Sequence, residues 1–147
     1  MKFYQHKNTN SSADPIADIL RETRTIAVVG ISANPARPSF TVAQYLQHAG
    51  YRIIPVNPNE QEVLGEKSFA RLEDVPEKID MVNVFRRAEN VPPVADSAVK
   101  IGAKILWLQL GIENDAASER ACAAGLKVIE DACLLVEHKK RRHLLGA

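Results

Sequence analysis

Residues 30–39 bring glycine, serine and arginine together in one short segment, GISANPARPS. The segment follows a continuous apolar run and precedes a helical pattern, so it joins a buried strand to a helix start. Free backbone N–H groups and the helix dipole favour an anion there. Gly30 allows close approach of the backbone to a ligand, and Ser32, Arg37 and Ser39 supply donors suited to phosphate. The alternative is that Ser39 only caps its helix and Arg37 is solvated.

Further candidate residues stand at the ends of three other predicted strands. They are Asn57 and Pro58 after the second strand, Arg86 and Arg87 after the third, and Gln109 at the end of the fourth with Gly111 just beyond it. Because the carboxyl ends of parallel strands meet at one edge of a sheet, we expect these residues to share a crevice with the first loop. For Arg86 and Arg87, a solvated charge pair is the alternative.

Apolar runs alternate with amphipathic segments along the chain. The predicted strands cover residues 26–29, 51–56, 79–85, 104–110 and 126–130. One predicted helix begins at Asp14-Pro15, and others cover residues 39–49, 68–75, 94–101, 114–124 and 131–137, the last with Asp131 as N-cap. This alternation is typical of the α/β class and predicts a three-layer α/β/α architecture with a five-stranded, mainly parallel sheet.

The 147 residues suit one domain, which we assign to residues 14–147 after a flexible arm at residues 1–13. The formal net charge is +1, and the basic segment 139–142 is short enough to be a solvated helix end, so we expect no nucleic-acid binding. The two cysteines, Cys122 and Cys133, suit free thiols in a reducing compartment. Without a secretory signal or an apolar run approaching roughly 20 residues, a cytoplasmic protein without membrane contact is expected.

Two common nucleotide-binding motifs are absent. Ser32 and Pro35 occupy the second and third glycine positions of G-x-G-x-x-G. The second strand ends in Asn57-Pro58 rather than in the acidic residue that holds an NAD ribose. A G-x-x-x-x-G-K-[ST] loop is also missing. These absences disfavour NAD and leave other phosphate-bearing adenine nucleotides open.

Five segments in fixed order carry a resemblance to a known family. They are VVGISANPARPS at residues 28–39, VNPN at 56–59, VFRRAENVP at 84–92, WLQLGI at 107–112 and CLLVEH at 133–138. Through them the sequence resembles the stand-alone CoA-binding domain family of small bacterial proteins. That family is similar in fold to the CoA-binding domain of succinyl-CoA synthetase alpha subunits.

The resemblance implies a Rossmann-like fold with a coenzyme A site at the carboxyl edge of the sheet. It implies that phosphates are held by Gly30, Ile31, Ser32, Arg37 and Ser39, adenosine by Asn57, Pro58, Phe85 and Arg86, the ligand's flank by Val91 and Pro92, and pantetheine by Gln109 and Gly111. The family commonly has an arginine immediately before the cysteine, where this chain has Ala132. We therefore do not assign to this chain the contact that such an arginine would supply.

No catalytic residue and no metal site are predicted. The four histidines lie outside the expected crevice, with His6 in the arm, His48 near a helix end, and His138 and His143 beside the basic segment. We therefore predict binding of coenzyme A or a short acyl-CoA, as a sensor, carrier or regulator without catalysis. The alternatives are an NAD(P)- or nucleotide-binding redox protein and a CoA-binding component of a split acyl-CoA ligase. The sequence identifies no protein partner.

Cys133 raises a separate hypothesis. It follows the fifth predicted strand and stands next to a helix start, on the expected ligand edge. We hypothesise that it meets the CoA thiol and forms a mixed disulfide with it. The alternative is a buried, inert thiol.

Overall fold

A six-stranded sheet forms the centre of the computed structural model, which describes residues 1–6 and 13–146. The strands are β1 (Lys2–Tyr4), β2 (Thr25–Val29), β3 (Arg52–Val56), β4 (Glu62–Val63), β5 (Glu66–Lys67), β6 (Met81–Val84), β7 (Ile105–Leu108) and β8 (Lys127–Glu130). The main sheet has the order β1-β8-β7-β6-β2-β3, and β4 and β5 form a separate hairpin. Neighbouring strands of the main sheet are parallel, except that β1 is antiparallel to β8.

Helices cover both faces of this sheet. They are α1 (Pro15–Glu22), α2 (Pro38–His48), α3 (Val91–Lys100), α4 (Asp115–Ala123) and α5 (Leu134–Arg141). Helices α1, α2 and α5 pack on one face around Trp107, whereas α3 and α4 pack on the other around Leu106. The central strands are buried because both faces are covered, which explains their continuous apolar sequences. The Rossmann-like α/β/α fold is confirmed.

The described residues contain no helix with the length and hydropathy needed to cross a membrane.

The strand β1 corrects the predicted five-stranded sheet. Residues 2–4 pair with residues 128–130 of β8. These first residues belong to the segment 1–13, which was expected to be a flexible arm. Phe3 packs with the core on the α1, α2 and α5 face, and Tyr4 packs with the core on the opposite face. A strand of three residues offers no apolar run that the sequence could reveal. Residues 7–12 of the predicted arm lie outside the described residues.

The prediction of a helix over residues 68–75 is wrong. Only one 3-10 turn, Leu72–Asp74, forms there. The N–H of Phe69 donates to the carbonyl oxygen of Pro55 at 3.0 Å, which draws the segment alongside β3 in extended form. Hydrogen bonding to β3 therefore keeps the start of this segment extended instead of helical.

Helix α3 begins earlier than predicted, at Val91 instead of Val94. The segment 92–93 is Pro-Pro, and proline fits the first helical turn because its missing N–H has no intrahelical partner there. The predicted start of α1 is confirmed, since Asp14 is its N-cap and the Asp14 carboxylate accepts from the Ala17 N–H at 3.2 Å.

The end of the chain differs from the prediction in two respects. The N-cap of α5 is Cys133, not Asp131, whose φ is 56°. The Asp131 carboxylate instead accepts from the Gly111 N–H at 2.7 Å. The basic segment is not wholly solvated, because Arg141 forms an ion pair with Asp14 at 2.9 Å.

Candidate functional site

The order of the parallel strands reverses between β2 and β6. From β2 the chain passes to β3 on one side, and it later returns to place β6 on the other side. In open α/β sheets, ligands bind in the crevice beyond the carboxyl ends of the strands at such a point. Two loops flank the crevice in this chain: residues 30–37 after β2, called the first loop below, and residues 85–90 after β6.

Gly30 is the point at which these two loops touch. Its φ is 88°, and a Cβ atom at this position would collide with the carbonyl oxygen of Phe85. The Gly30 N–H donates to the Val56 carbonyl at 2.9 Å, and the Phe85 N–H donates to the Val29 carbonyl at 2.8 Å. From the sequence, Gly30 was expected to allow close approach of a ligand. The structure gives a reason within the protein, because the neighbouring backbone already requires a glycine.

Side-chain oxygens hold the amide groups of the first loop. The Ser32 N–H donates to Ser39 Oγ at 3.0 Å, the Asn34 N–H to Ser32 Oγ at 3.0 Å, and the Ala36 N–H to Asn34 Oδ1 at 2.9 Å. Ser39 is buried and lies within α2, whose N-cap residue is Arg37. Ser39 therefore shapes the first loop rather than capping the helix.

The connection from β3 to β4 is tied to the first loop by two side chains. Asn57 Nδ2 donates to the Ile31 carbonyl at 2.8 Å, and Asn57 Oδ1 accepts from the Asn59 N–H at 2.9 Å. The Glu60 carboxylate accepts a hydrogen bond from the Ala33 N–H. Asn57 and Ile31, both predicted site residues, are thus joined by a hydrogen bond. Glu60 was not recognised from the sequence, which gave no sign that it folds back onto the loop.

Arg37, Arg86 and Arg87 form no ion pair with a carboxylate in the parts of the chain that the structure describes. Among the other arginines, ion pairs are formed by Arg21, Arg52, Arg71, Arg120 and Arg141. Arg86 is half-buried beside Gly30, whereas Arg37 and Arg87 are exposed. Guanidinium groups without carboxylate partners are available to bind phosphate.

A cavity of about 280 Å³ opens beside these loops, at the carboxyl ends of β2 and β3. Val29, Val56 and Arg86 line it from the edge of the sheet. None of its remaining lining residues was predicted as a site residue; they are Ala70, Arg71, Leu72, Glu73, Asn90, Pro93, Val94 and Ser97. Several of these residues belong to the segment that was wrongly predicted as a helix. Mainly apolar walls with a few polar groups are typical of pockets for small organic ligands.

The predicted site residues differ widely in exposure. Ile31 and Val91 are fully buried in opposite core layers, so they support the crevice from beneath. Pro58 is exposed and Pro92 is half-buried. Gly111 is exposed with φ 83°, which suits the turn after β7.

Gln109 is buried, and its Oε1 accepts from Asn83 Nδ2 and from the Leu134 N–H, each at 3.4 Å. Asn83 is fully buried, and its Oδ1 has no hydrogen-bond partner within the described residues. Asn83 was not among the predicted site residues. The available signal was a lone amide in an otherwise apolar strand.

Cys133 lies on the same face of the sheet as α2 and α5 and is half-buried. Cys133 and Cys122 are both free thiols, as expected. The preceding residue, Ala132, accepts a hydrogen bond from Trp107 Nε1 at 2.9 Å, which fixes the backbone beside the cysteine. Cys133 is the N-cap residue of α5 and precedes Leu134, whose N–H donates to Gln109.

Comparison of the sequence with models of known protein families shows which family the chain belongs to. Residues 24–139 match the family model described as a CoA binding domain. The chain belongs to this CoA-binding domain family. The match begins just before β2 and ends within α5, so it includes both loops of the crevice. The resemblance seen in the sequence motifs is confirmed.

Relatives of this CoA-binding domain are of two kinds. The uncharacterized protein YneT of Bacillus subtilis is 43% identical over 129 residues, covering 88% of this chain and 96% of YneT. A solved structure of a hypothetical protein from Pyrococcus horikoshii is similar with a TM-score of 0.84 at 38% identity, covering 89% of this chain and 90% of that one.

The second kind is much longer than this chain. The ADP-forming acetate–CoA ligase II of Archaeoglobus fulgidus is 31% identical over 83 residues, which is 55% of this chain but 12% of the ligase. This CoA-binding domain therefore corresponds to only a small part of that enzyme.

Proposed function

We propose that this chain binds coenzyme A or a short acyl-CoA at the carboxyl edge of its sheet. The observation that carries the proposal is the crevice at the reversal of strand order, in a member of the CoA-binding domain family, with Arg37, Arg86 and Arg87 beside it. Coenzyme A has a diphosphate and a 3′-phosphate, so its site needs several cationic or N–H donors at one edge. The chain offers them there although its formal net charge is only +1.

In the proposed complex, the diphosphate lies against the first loop, where Ser32, Arg37 and Ser39 supply donors. The adenosine lies between the two loops, beside the cavity of about 280 Å³. The apolar walls of that cavity suit a flat ring, and its cationic neighbour Arg86 suits a phosphate. The residues proposed around the adenosine are Asn57, Pro58, Phe85 and Arg86, and those along the pantetheine arm are Gln109 and Gly111.

We propose a binding role, as a sensor, carrier or regulator, without catalysis by this chain. A general acid or base must come within hydrogen-bond reach of the reacting atoms. His48 is on the last turn of α2, at the opposite edge of the sheet from the crevice. His138 is buried against the hydroxyl of Tyr45, which hydrogen-bonds to its Nδ1 at 2.8 Å. Neither imidazole faces the proposed ligand.

Calorimetric titration with coenzyme A, 3′-dephospho-CoA and NAD in parallel tests this function. We expect the tightest binding for coenzyme A and weaker binding for the form without the 3′-phosphate. Binding of NAD without binding of coenzyme A would assign the crevice to the alternative, an NAD(P)- or nucleotide-binding redox protein.

A second candidate is the CoA-binding component of a split acyl-CoA ligase. The similarity to part of the acetate–CoA ligase II of Archaeoglobus fulgidus favours it. This function requires a separate chain that activates the acyl group. Purification of the tagged protein from its native cells, followed by assay of the eluate for acetate- and ATP-dependent acetyl-CoA formation, tests the candidate. Activity that depends on a co-purifying chain supports it, and a chain that elutes alone and inactive rejects it.

A further inference from the structure

Glu60 brings a negative charge to the place where the proposed function puts a diphosphate. Its carboxylate accepts the hydrogen bond from the Ala33 N–H in the first loop. The neighbouring amides of the loop donate instead to neutral oxygens, which belong to Ser39, Ser32 and Asn34. Of the side-chain oxygens that accept from these described loop amides, the one that accepts from Ala33 is therefore the one that carries a charge.

The position of Glu60 is set by the turn that carries it. The Glu60 N–H donates to the Asn57 carbonyl at 3.2 Å, which closes a tight turn after β3. Asn57 Nδ2 in turn donates to the Ile31 carbonyl at 2.8 Å, which fastens this turn to the first loop. The carboxylate is thus presented to Ala33 by a hydrogen-bonded backbone.

No lysine or arginine of the described residues neutralises Glu60 through an ion pair. A ligand phosphate brought to the Ala33 N–H therefore meets a like charge and competes with it for one donor. Glu60 is half-buried, so its side chain can turn toward solvent when it is displaced. Displacement also breaks one of the two side-chain contacts between the first loop and the β3–β4 connection, while the contact from Asn57 to Ile31 remains.

We propose that Glu60 is an internal competitor of the ligand's phosphates. It occupies the Ala33 amide in the free protein and leaves it on binding, so it weakens the affinity of the site and couples occupancy to loss of the contact between the Glu60 carboxylate and the first loop. This inference rests on the proposed function, since it assigns a regulatory element to the same phosphate-binding loop.

The test compares Glu60→Gln with Glu62→Gln. Both variants remove one negative charge, but Glu62 lies two residues further on, at the start of β4, and its exposed side chain makes no hydrogen bond or ion pair to the described residues. Binding of coenzyme A is measured by calorimetry, and binding of inorganic pyrophosphate by the chemical shift of the Ala33 amide. Because a charged competitor is replaced by a neutral one, we expect Glu60→Gln to tighten both ligands about three- to tenfold. Glu62→Gln should remain within about twofold of the unaltered protein.

Each outcome decides the matter. Equal affinity of Glu60→Gln and the unaltered protein, or weaker binding by Glu60→Gln, overturns the inference while leaving CoA binding intact. If no variant binds coenzyme A, the proposed function fails. In that case the pyrophosphate arm still decides: a tighter response at Ala33 in Glu60→Gln alone supports the competition, and no response in any variant overturns it. Thermal unfolding of each variant verifies that the fold is retained.

Discussion

The carbonyl oxygen of Phe85 lies so close to Gly30 that it leaves no room for a side-chain carbon there, so the two loops of the crevice meet in backbone contact at Gly30 and Phe85. Phe85 continues β6, and Gly30 continues β2, each through a hydrogen bond to the neighbouring strand. The glycine thus maintains the junction from which the proposed ligand site is built. Gly30 therefore matters for the ligand site as well as for stability, because a shift of this junction also moves the amides of the first loop.

Substitution of Gly30 by alanine should destabilise the protein more than the same change at another glycine of positive φ. We expect Gly30→Ala to lower the free energy of unfolding by about 2–4 kcal/mol, since it adds a backbone collision to an unfavourable φ. Gly50→Ala is the control, because Gly50 has φ 107° but open space around its Cβ position. Its cost should be about 1 kcal/mol. Urea denaturation measures both, and equal losses would contradict the account of the junction.

Cys133 should exchange with CoA disulfide if the pantetheine arm reaches the start of α5. The Cys133 thiolate attacks one sulfur of CoA disulfide, one S–S bond forms as the other breaks, and one CoA thiolate leaves. Intact-mass analysis after incubation should show one CoA adduct, absent in Cys133→Ser and retained in Cys122→Ser. An unmodified protein, or an adduct that persists in Cys133→Ser, rejects the hypothesis and favours the inert thiol.

His138 makes stability depend on pH. Burial, and secondarily the charge of Arg142, lower the pKa of His138 from its ordinary value of 6.5. The unfolded chain therefore takes up a proton at this residue before the folded chain does. The stability that the neutral imidazole contributes is fully present above pH 6.5 and is lost as the pH falls through the lower pKa of the folded state.

The measurement is urea denaturation at pH 7.5 and pH 5.5, with His138→Gln beside the unaltered protein. We expect the unaltered protein to lose more stability between the two values than His138→Gln does. His143→Gln, a change at an exposed histidine, should behave like the unaltered protein. An identical pH dependence in all three proteins would show that His138 does not control this loss.

The central strands could be predicted because their sequences report burial directly. The run from Ile26 to Val29 is apolar throughout, since helices cover both of its faces. The strand β1 could not be predicted, because its three residues pack by pairing with β8 rather than by any pattern of their own. The helix over residues 68–75 was wrongly predicted because the hydrogen bond of Phe69 to β3 joins residues that are far apart in the sequence.

The candidate site was predicted where topology decides the positions of residues. The ends of parallel strands meet at one edge, so Arg86 and Ser32 could be placed there from the sequence. The contacts of Glu60 and the walls of the cavity depend on how the β3–β4 connection folds back. The burial of Ile31 and Val91 was not predicted, because proximity to a strand end does not reveal which side chains are buried.

The most direct test of the central claim is the affinity of the Arg86→Ala variant for coenzyme A, measured by calorimetry. Arg86 is half-buried at the junction of the two loops and lines the cavity. The control is Arg24→Ala, an exposed arginine at the other end of β2. We expect Arg86→Ala to weaken binding about tenfold or more, since a charge-assisted hydrogen bond to phosphate is lost, and Arg24→Ala to leave it unchanged. Equal affinities for coenzyme A in the two variants would contradict a ligand site at this edge.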